Sequence, residues 1–201
     1  MQYPSQIIEN SVNELSRFPG IGKKTALRLV LHLIKQEPVI ITNLAAAISA
    51  LHEKLNFCKQ CGNVSDLDLC GICSDENRSD TILCVVEDLR DVMAIESTAQ
   101  FKGKYHILSG LISPMDGIGP ENLRIAELEE RLLKSKPEEI ILALSATIEG
   151  DTTAFYLNRK LAAFGLKVST LSKGIAIGGE LEYADEITLG RALLQRIPYG
   201  V

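Results

Sequence analysis

An α/β chain with a helical N-terminal part and a small cysteine module is what the sequence predicts, on three observations. After Asp80, short apolar runs alternate with amphipathic helical stretches. Before residue 56, apolar residues recur only at helical spacing. Between these parts stand Cys58, Cys61, Cys70 and Cys73, two C-x-x-C pairs separated by eight residues. Strands alternating with helices imply a parallel sheet covered on both faces.

In chain order, the helical spacing of Ile7, Ile8, Val12 and Leu15 predicts a first helix. Leu27, Val30, Leu31 and Ile34 predict a second, with Leu27, Leu31 and Ile34 buried. Leu44, Ile48, Leu51 and Leu55 predict a third. Phe18-Pro-Gly-Ile-Gly22 interrupts the first two. The helical part therefore spans 1–56 and the cysteine module 57–76, which is too small to own a core. The α/β part spans 80–175, with strands at Ile82–Val86, Tyr105–Leu108, Ile140–Leu144 and Leu166–Thr170. Helices are expected over 88–99, 121–134 and 152–164, the second carrying Glu127–Arg131 and Glu130–Lys134 pairs. A segment 176–201 returns to helix at about 185–196. Cys84, inside Ile-Leu-Cys-Val-Val, reads as a small buried hydrophobe.

The 201 residues suffice for one large domain or two small ones, and 46% hydrophobic with 23% charged residues is ordinary for a soluble protein. No run of eighteen apolar residues predicts a membrane span, and Met-Gln-Tyr-Pro-Ser is no secretory leader, so a cytoplasmic location is expected. Reduced thiols there favour zinc: two C-x-x-C pairs complete a tetrahedral all-sulfur site with no open position, which holds shape and does no chemistry. Two disulfides would need an oxidising compartment, and a dithiol redox motif normally uses one pair. His32, His52 and His106 are scattered singly and, beside four cysteines, are not expected as ligands.

A net charge of −5 argues against a nucleic-acid partner, but its distribution argues for one. Arg17, Lys23, Lys24, Arg28 and Lys35 fall between Leu15 and Lys35 with no acidic residue among them. Glycines before a helix let backbone approach phosphate, and Lys24, Arg28 and Lys35 at i, i+4 and i+11 form a stripe suited to a phosphate backbone without sequence readout. The alternative is a solvated helix after a glycine turn. A nucleotide P-loop fits poorly, because Arg17 and Lys24 stand where that motif needs Gly and Ser or Thr. The glycine-rich pieces 110–120 and 174–179 lack dinucleotide spacing and read as ordered loops. Glu87 ends the first strand, and Glu149 and Asp151 follow the third, where functional groups of open parallel sheets gather.

Phe18-Pro-Gly-Ile-Gly22 resembles the helix-hairpin-helix motif, which grips DNA phosphates. The order then runs through the cysteine quartet, Val85-Val-Glu87, Gly103-x-Tyr-His106-x-Leu-x-Gly110, Ser113-Pro114, Asp116-Gly-Ile-Gly-Pro120, Glu149-Gly-Asp-x-Thr153 and Gly178-Gly-Glu-Leu-Glu-Tyr183. Over nearly all the chain this order resembles the bacterial RecR family of recombination mediators. The resemblance implies a helix-hairpin-helix domain, a four-cysteine zinc finger, a Toprim-type sheet domain and a Walker-B-like segment with a C-terminal helical tail. It implies a non-enzymatic, ring-shaped tetramer that binds single- and double-stranded DNA without sequence preference. Its implied partners are RecO and RecF, its task loading recombinase on gapped DNA, and its place the nucleoid-bearing cytoplasm. Lys23, Lys24 and Arg28 match the positions that touch phosphates. Glu87, Glu149 and Asp151 match the Toprim acidic set, read as a docking site for RecO, a weak Mg²⁺ site or helix-capping residues. The pair is Glu-x-Asp where Toprim enzymes carry Asp-x-Asp, and Thr170 and Ala176 stand where relatives often have Arg and Pro. Two rivals are a Mg²⁺-dependent nuclease or topoisomerase-like enzyme on the same scaffold, and a zinc-stabilised adaptor that never touches DNA.

Overall fold

The computed structural model describes residues 3–175 and 177–198. The chain divides into two compact units, Met1–Leu55 and Asn56–Val201. No helix among the described residues is long and apolar enough to cross a membrane.

The first unit holds three helices: α1 (Gln6–Leu15), α2 (Lys23–Leu33) and α3 (Pro38–Glu53). Ser5 caps α1, its Oγ accepting the Ile7 N–H at 3.2 Å. Between α1 and α2, Gly20 takes φ +78°, a left-handed conformation open to glycine at little cost. Val12 of α1 packs on Ala26 and Val30 of α2, with Ile8, Leu15, Ile21 and Leu27 around them. The buried stripe of α2 is therefore Ala26–Val30. Leu31 and Ile34, expected in the core, are exposed, because α1 covers only the face that carries the smaller residues. Pro38 starts α3, which buries no residue although it carries Val39, Ile40, Leu44, Ile48 and Leu51.

The second unit opens with a two-strand hairpin, β1 (Asn56–Phe57) and β2 (Val64–Ser65), and a one-turn helix α4 (Gly71–Ser74). The sheet follows: β3 (Ile82–Val86), α5 (Leu89–Ser97), β4 (Lys104–Ile107), α6 (Ile125–Ser135), β5 (Glu139–Ala143), α7 (Ile148–Leu161) and β6 (Lys167–Thr170). All pairs are parallel, in the order β4-β3-β5-β6. Alternation along β3 explains its unbroken apolar run. Leu83 and Val85 face one layer with Leu128 and Leu132 of α6 and Leu157 and Leu161 of α7, whereas Cys84 and Val86 face the other with Val92 of α5. Cys84 is the buried hydrophobe expected, its thiol pushed up to about 12 by burial. Helix α8 (Glu186–Leu194) follows, capped by Asp185.

Two helix starts differ from the sequence reading. Helix α6 begins at Ile125, after a 3-10 turn at Pro120–Asn122, and α7 begins at Ile148, where the Thr147 hydroxyl accepts the Gly150 N–H. Neither Glu127–Arg131 nor Glu130–Lys134 forms among the described residues. Glu127 pairs with Arg124, and Arg131 turns inward, its Nη1 donating to the Tyr105 carbonyl at 2.6 Å. Ala176 lies outside the described residues, and Thr170 ends β6.

Candidate functional site

Lys23, Lys24 and Arg28 stand exposed in the first turns of α2. Gly22 is the N-cap and offers no side chain, so the first N–H groups of α2 have no capping oxygen. None of the three cations has an ion-pair partner among the described residues, whereas Arg17 is held by Glu14 at 2.9 Å. Lys35 falls just beyond the end of α2.

The four cysteines come together through the hairpin and α4. Backbone bonds tighten the first turn, Cys58 N–H to the Asn63 carbonyl at 2.7 Å and Gly62 N–H to the Cys58 carbonyl at 2.9 Å. The second pair is set by α4, with Cys70 as its N-cap and Cys73 inside it. All four sulfurs lie within 4.8 Å of one another and are buried, and none is in a disulfide. Cys61 Sγ and Cys70 Sγ are 3.6 Å apart. Tetrahedral Zn–S bonds of about 2.3 Å require S···S edges of about 3.8 Å, while a disulfide needs about 2.05 Å, so the donor set fits one structural zinc ion. Without a cation the sulfurs oppose one another. The hydrogen bond with Cys73 and burial raise Cys61 far above an ordinary thiol, and burial raises Cys70. Burial also works against the Cys58 thiolate, but N–H donors of Cys70, Cys61 and Gln60 outweigh it and bring it to about 7. A dication is what lets all four ionise together.

The module leans on the sheet. The Cys61 carbonyl accepts the Ile107 N–H at 2.8 Å, along the edge strand β4. Ile72 packs into both the cysteine cluster and the Cys84–Tyr105 layer. Below it, Arg78 holds Glu96 and donates to the Gly103 carbonyl at 3.2 Å, and the Tyr105 hydroxyl donates to Glu96 at 2.6 Å.

The carboxylates lie beyond the carboxyl ends of β3 and β5. The order β4-β3-β5-β6 reverses direction between β3 and β5, the topological switch point where open parallel sheets bind ligands. Glu87 leaves β3 there, and Glu149 and Asp151 occupy the first turn of α7 beyond β5. The Ser145 hydroxyl donates to Glu87 Oε2 at 3.2 Å, joining the two loops. Gly150 between the two acids is required by close approach: a Cβ there would stand 1.9 Å from the Ser145 carbonyl oxygen. Thr153 locks the same helix to the next loop, its Oγ1 accepting the Ile112 N–H at 2.8 Å. Thr147, not Asp151, caps α7. Asp151 instead receives the Lys173 ammonium at 2.5 Å, and that bond, with Lys173 and Arg191 charge, holds its carboxyl below the usual range. The four cysteines are the group of potential ligands gathered to hold a metal ion among the described residues. Ser145 and Lys173 carry no local sequence signal of these roles, since their partners lie 58 and 22 residues away.

Family profiles match in one order along the chain: the RecR helix-hairpin-helix over 8–52, the RecR four-cysteine zinc finger domain over 55–75, the Toprim domain over 81–172 and the RecR C-terminal segment over 174–197. The "Recombination protein RecR" of Amoebophilus asiaticus is 52% identical over 199 residues, 99% of this chain and 100% of that one. That of Parabacteroides distasonis is 49% identical over 200 residues, covering 100% and 96%. That of Flavobacterium johnsoniae is 52% identical over 199 residues, covering 99% and 97%. With its segments matched in order and about half its residues shared over the full length, the chain belongs to the RecR family of recombination proteins.

Proposed function

We propose that the chain is a non-enzymatic, DNA-binding recombination mediator that holds single- or double-stranded DNA through Lys23, Lys24 and Arg28. The observation that carries this reading is that these three cations are exposed and unpaired among the described residues, at a helix start with no capping side chain. A ring of four copies lets a protein of net charge −5 hold DNA, because several weak basic patches then act on one ligand. The apolar side chains that α3 leaves exposed, Val39, Ile40, Leu44, Ile48 and Leu51, support such assembly.

The remaining parts divide the work as 1–56 for DNA, 57–76 for zinc, 80–175 for the Toprim scaffold and 176–201 for the C-terminal segment. Cys58, Cys61, Cys70 and Cys73 are the zinc ligands and brace the edge of the sheet. Glu87, Glu149 and Asp151 form a docking edge for a basic surface of RecO, with RecF as the further partner in loading recombinase on gapped DNA. Docking is favoured over Mg²⁺ by the ammonium already on Asp151, a protein cation in the place a metal would take. The site of action is the nucleoid-bearing cytoplasm.

The rival is a Mg²⁺-dependent nuclease or topoisomerase-like activity. Purified protein with supercoiled and linear DNA and Mg²⁺ is expected to leave both intact. Cleavage or relaxation that disappears in Glu87→Gln would replace the mediator reading with the enzyme.

A further inference from the structure

Arginines 78, 124 and 131 all reach into the second unit, and their surroundings differ in one respect. Arg78 has Glu96 and Asp75, and Arg124 has Glu127. Arg131 is 7% exposed and has no carboxylate in ion-pair range among the described residues. Of its five N–H donors it uses Nη1, on the Tyr105 carbonyl, while its buried Nε has no partner. The neighbouring His106 supplies no negative charge: its Nε2–H donates to the Arg124 carbonyl at 2.7 Å, and burial keeps the ring neutral. A buried guanidinium without an anion is costly, and its planar fork matches a tetrahedral oxyanion.

Arg131 also lines a groove between the cysteine module and α6, of about 350 Å³. Lys59, Glu127, Glu130, Lys134 and Ser135 share the lining. Lys59 is held by Asp68 at 2.7 Å and Glu127 by Arg124, leaving Lys134 and Glu130 without ion-pair partners among the described residues. The volume admits one oxyanion with several waters of roughly 30 Å³ each. Glu127 is already neutralised by Arg124, so Glu130 is the one lining carboxylate that opposes an anion against Arg131 and Lys134.

We propose that this groove binds one phosphate-class oxyanion, with Arg131 as its principal donor and Lys134 as its second cation. None of its lining residues belongs to the α2 stripe. Its chemistry suits either inorganic phosphate or one phosphate of a nucleic acid.

The test uses the full-length, zinc-loaded chain carrying Lys23→Gln, Lys24→Gln and Arg28→Gln, so that the α2 stripe does not contribute. Inorganic phosphate is titrated by calorimetry and by amide shifts at Gln60 and Ser135, against chloride at matched ionic strength. Saturable binding of one phosphate per chain is expected, weakened about tenfold or more by Arg131→Gln. Because that variant can also lose stability, two surface variants are read alongside it. Lys134→Gln should weaken phosphate about threefold, and Glu130→Gln should tighten it by a similar factor. Absence of saturable binding in the parent, or affinity unchanged in both surface variants, overturns the proposal. With the site established, a dinucleotide that displaces phosphate assigns it to a nucleic-acid phosphate, and one that does not assigns it to the free anion.

Discussion

His106 shows how a residue's role depends on neighbours that the sequence hides. As one of three scattered histidines it is not expected as a ligand, and its burial on β4 and its bond to the Arg124 carbonyl come from a contact 18 residues away. Burial first, then the charges of Arg131 and Arg124, bring its pKa from 6.5 to about 4, against the opposing pull of the carbonyl. The folded state therefore binds its proton less readily than the unfolded state. The neutral ring causes no loss above pH 6.5, and stability falls as pH drops from about 6.5 to 4, by up to about 3 kcal/mol. Urea midpoints taken across that window, with zinc content followed in parallel, should decline in the parent and decline less in His106→Gln. Equal declines would remove His106 as the cause. Other residues divide the same way. The cysteine spacing and the basic run are local and legible in the sequence. Ser145 on Glu87 and Lys173 on Asp151 exist only after the sheet has formed. Leu31 and Ile34 escape the sequence reading because helical periodicity gives a face, while the size of the partner helix decides how much of that face is covered.

Among the elements, the central strands β3 and β5 are the most legible, because each is a short apolar run with most of its residues buried, whereas the edge strand β6, Lys167-Val-Ser-Thr170, is polar and buries none. Helix starts are less so. The extra turn at the start of α7 depends on Thr147 as cap and on Gly150 meeting the Ser145 carbonyl, which put Glu149 and Asp151 inside the helix. The cysteine module is legible as a zinc site from spacing, but its attachment is not. Its Cys61 carbonyl continues the hydrogen bonding of the edge strand β4 through the Ile107 N–H. Metal loss should thus be felt beyond residues 57–76. On chelation, hydrogen exchange is expected to accelerate at Ile107 by up to about tenfold, the worth of one backbone hydrogen bond, as well as across the module. Faster exchange confined to 57–76, with Ile107 unchanged, would show that the module does not support the sheet.

On the scale of the whole molecule, the family and its order of modules are legible, since the motifs run unbroken from Phe18 to Tyr183. The exposed apolar surface of the first unit is not, because helical spacing alone assigns the α2 apolar face to the chain's own core. Leu31, Ile34 and the apolar side chains of α3 are instead exposed. Light scattering on DNA-free protein should give a mass near four times the 22.0 kDa chain. A monomer at working concentration would contradict the ring, though not DNA binding itself. That binding is the central claim, and its salt dependence tests it most directly. For the parent, the logarithm of the DNA association constant should fall steeply and linearly with the logarithm of salt concentration. Reversing charge at Lys24→Glu and Arg28→Glu should cut affinity by at least about tenfold and lower that slope by roughly 1.4 to 1.8, the value of two lost phosphate contacts. Affinity and slope unchanged in that double variant, or no DNA binding by the parent at low salt, would contradict the account.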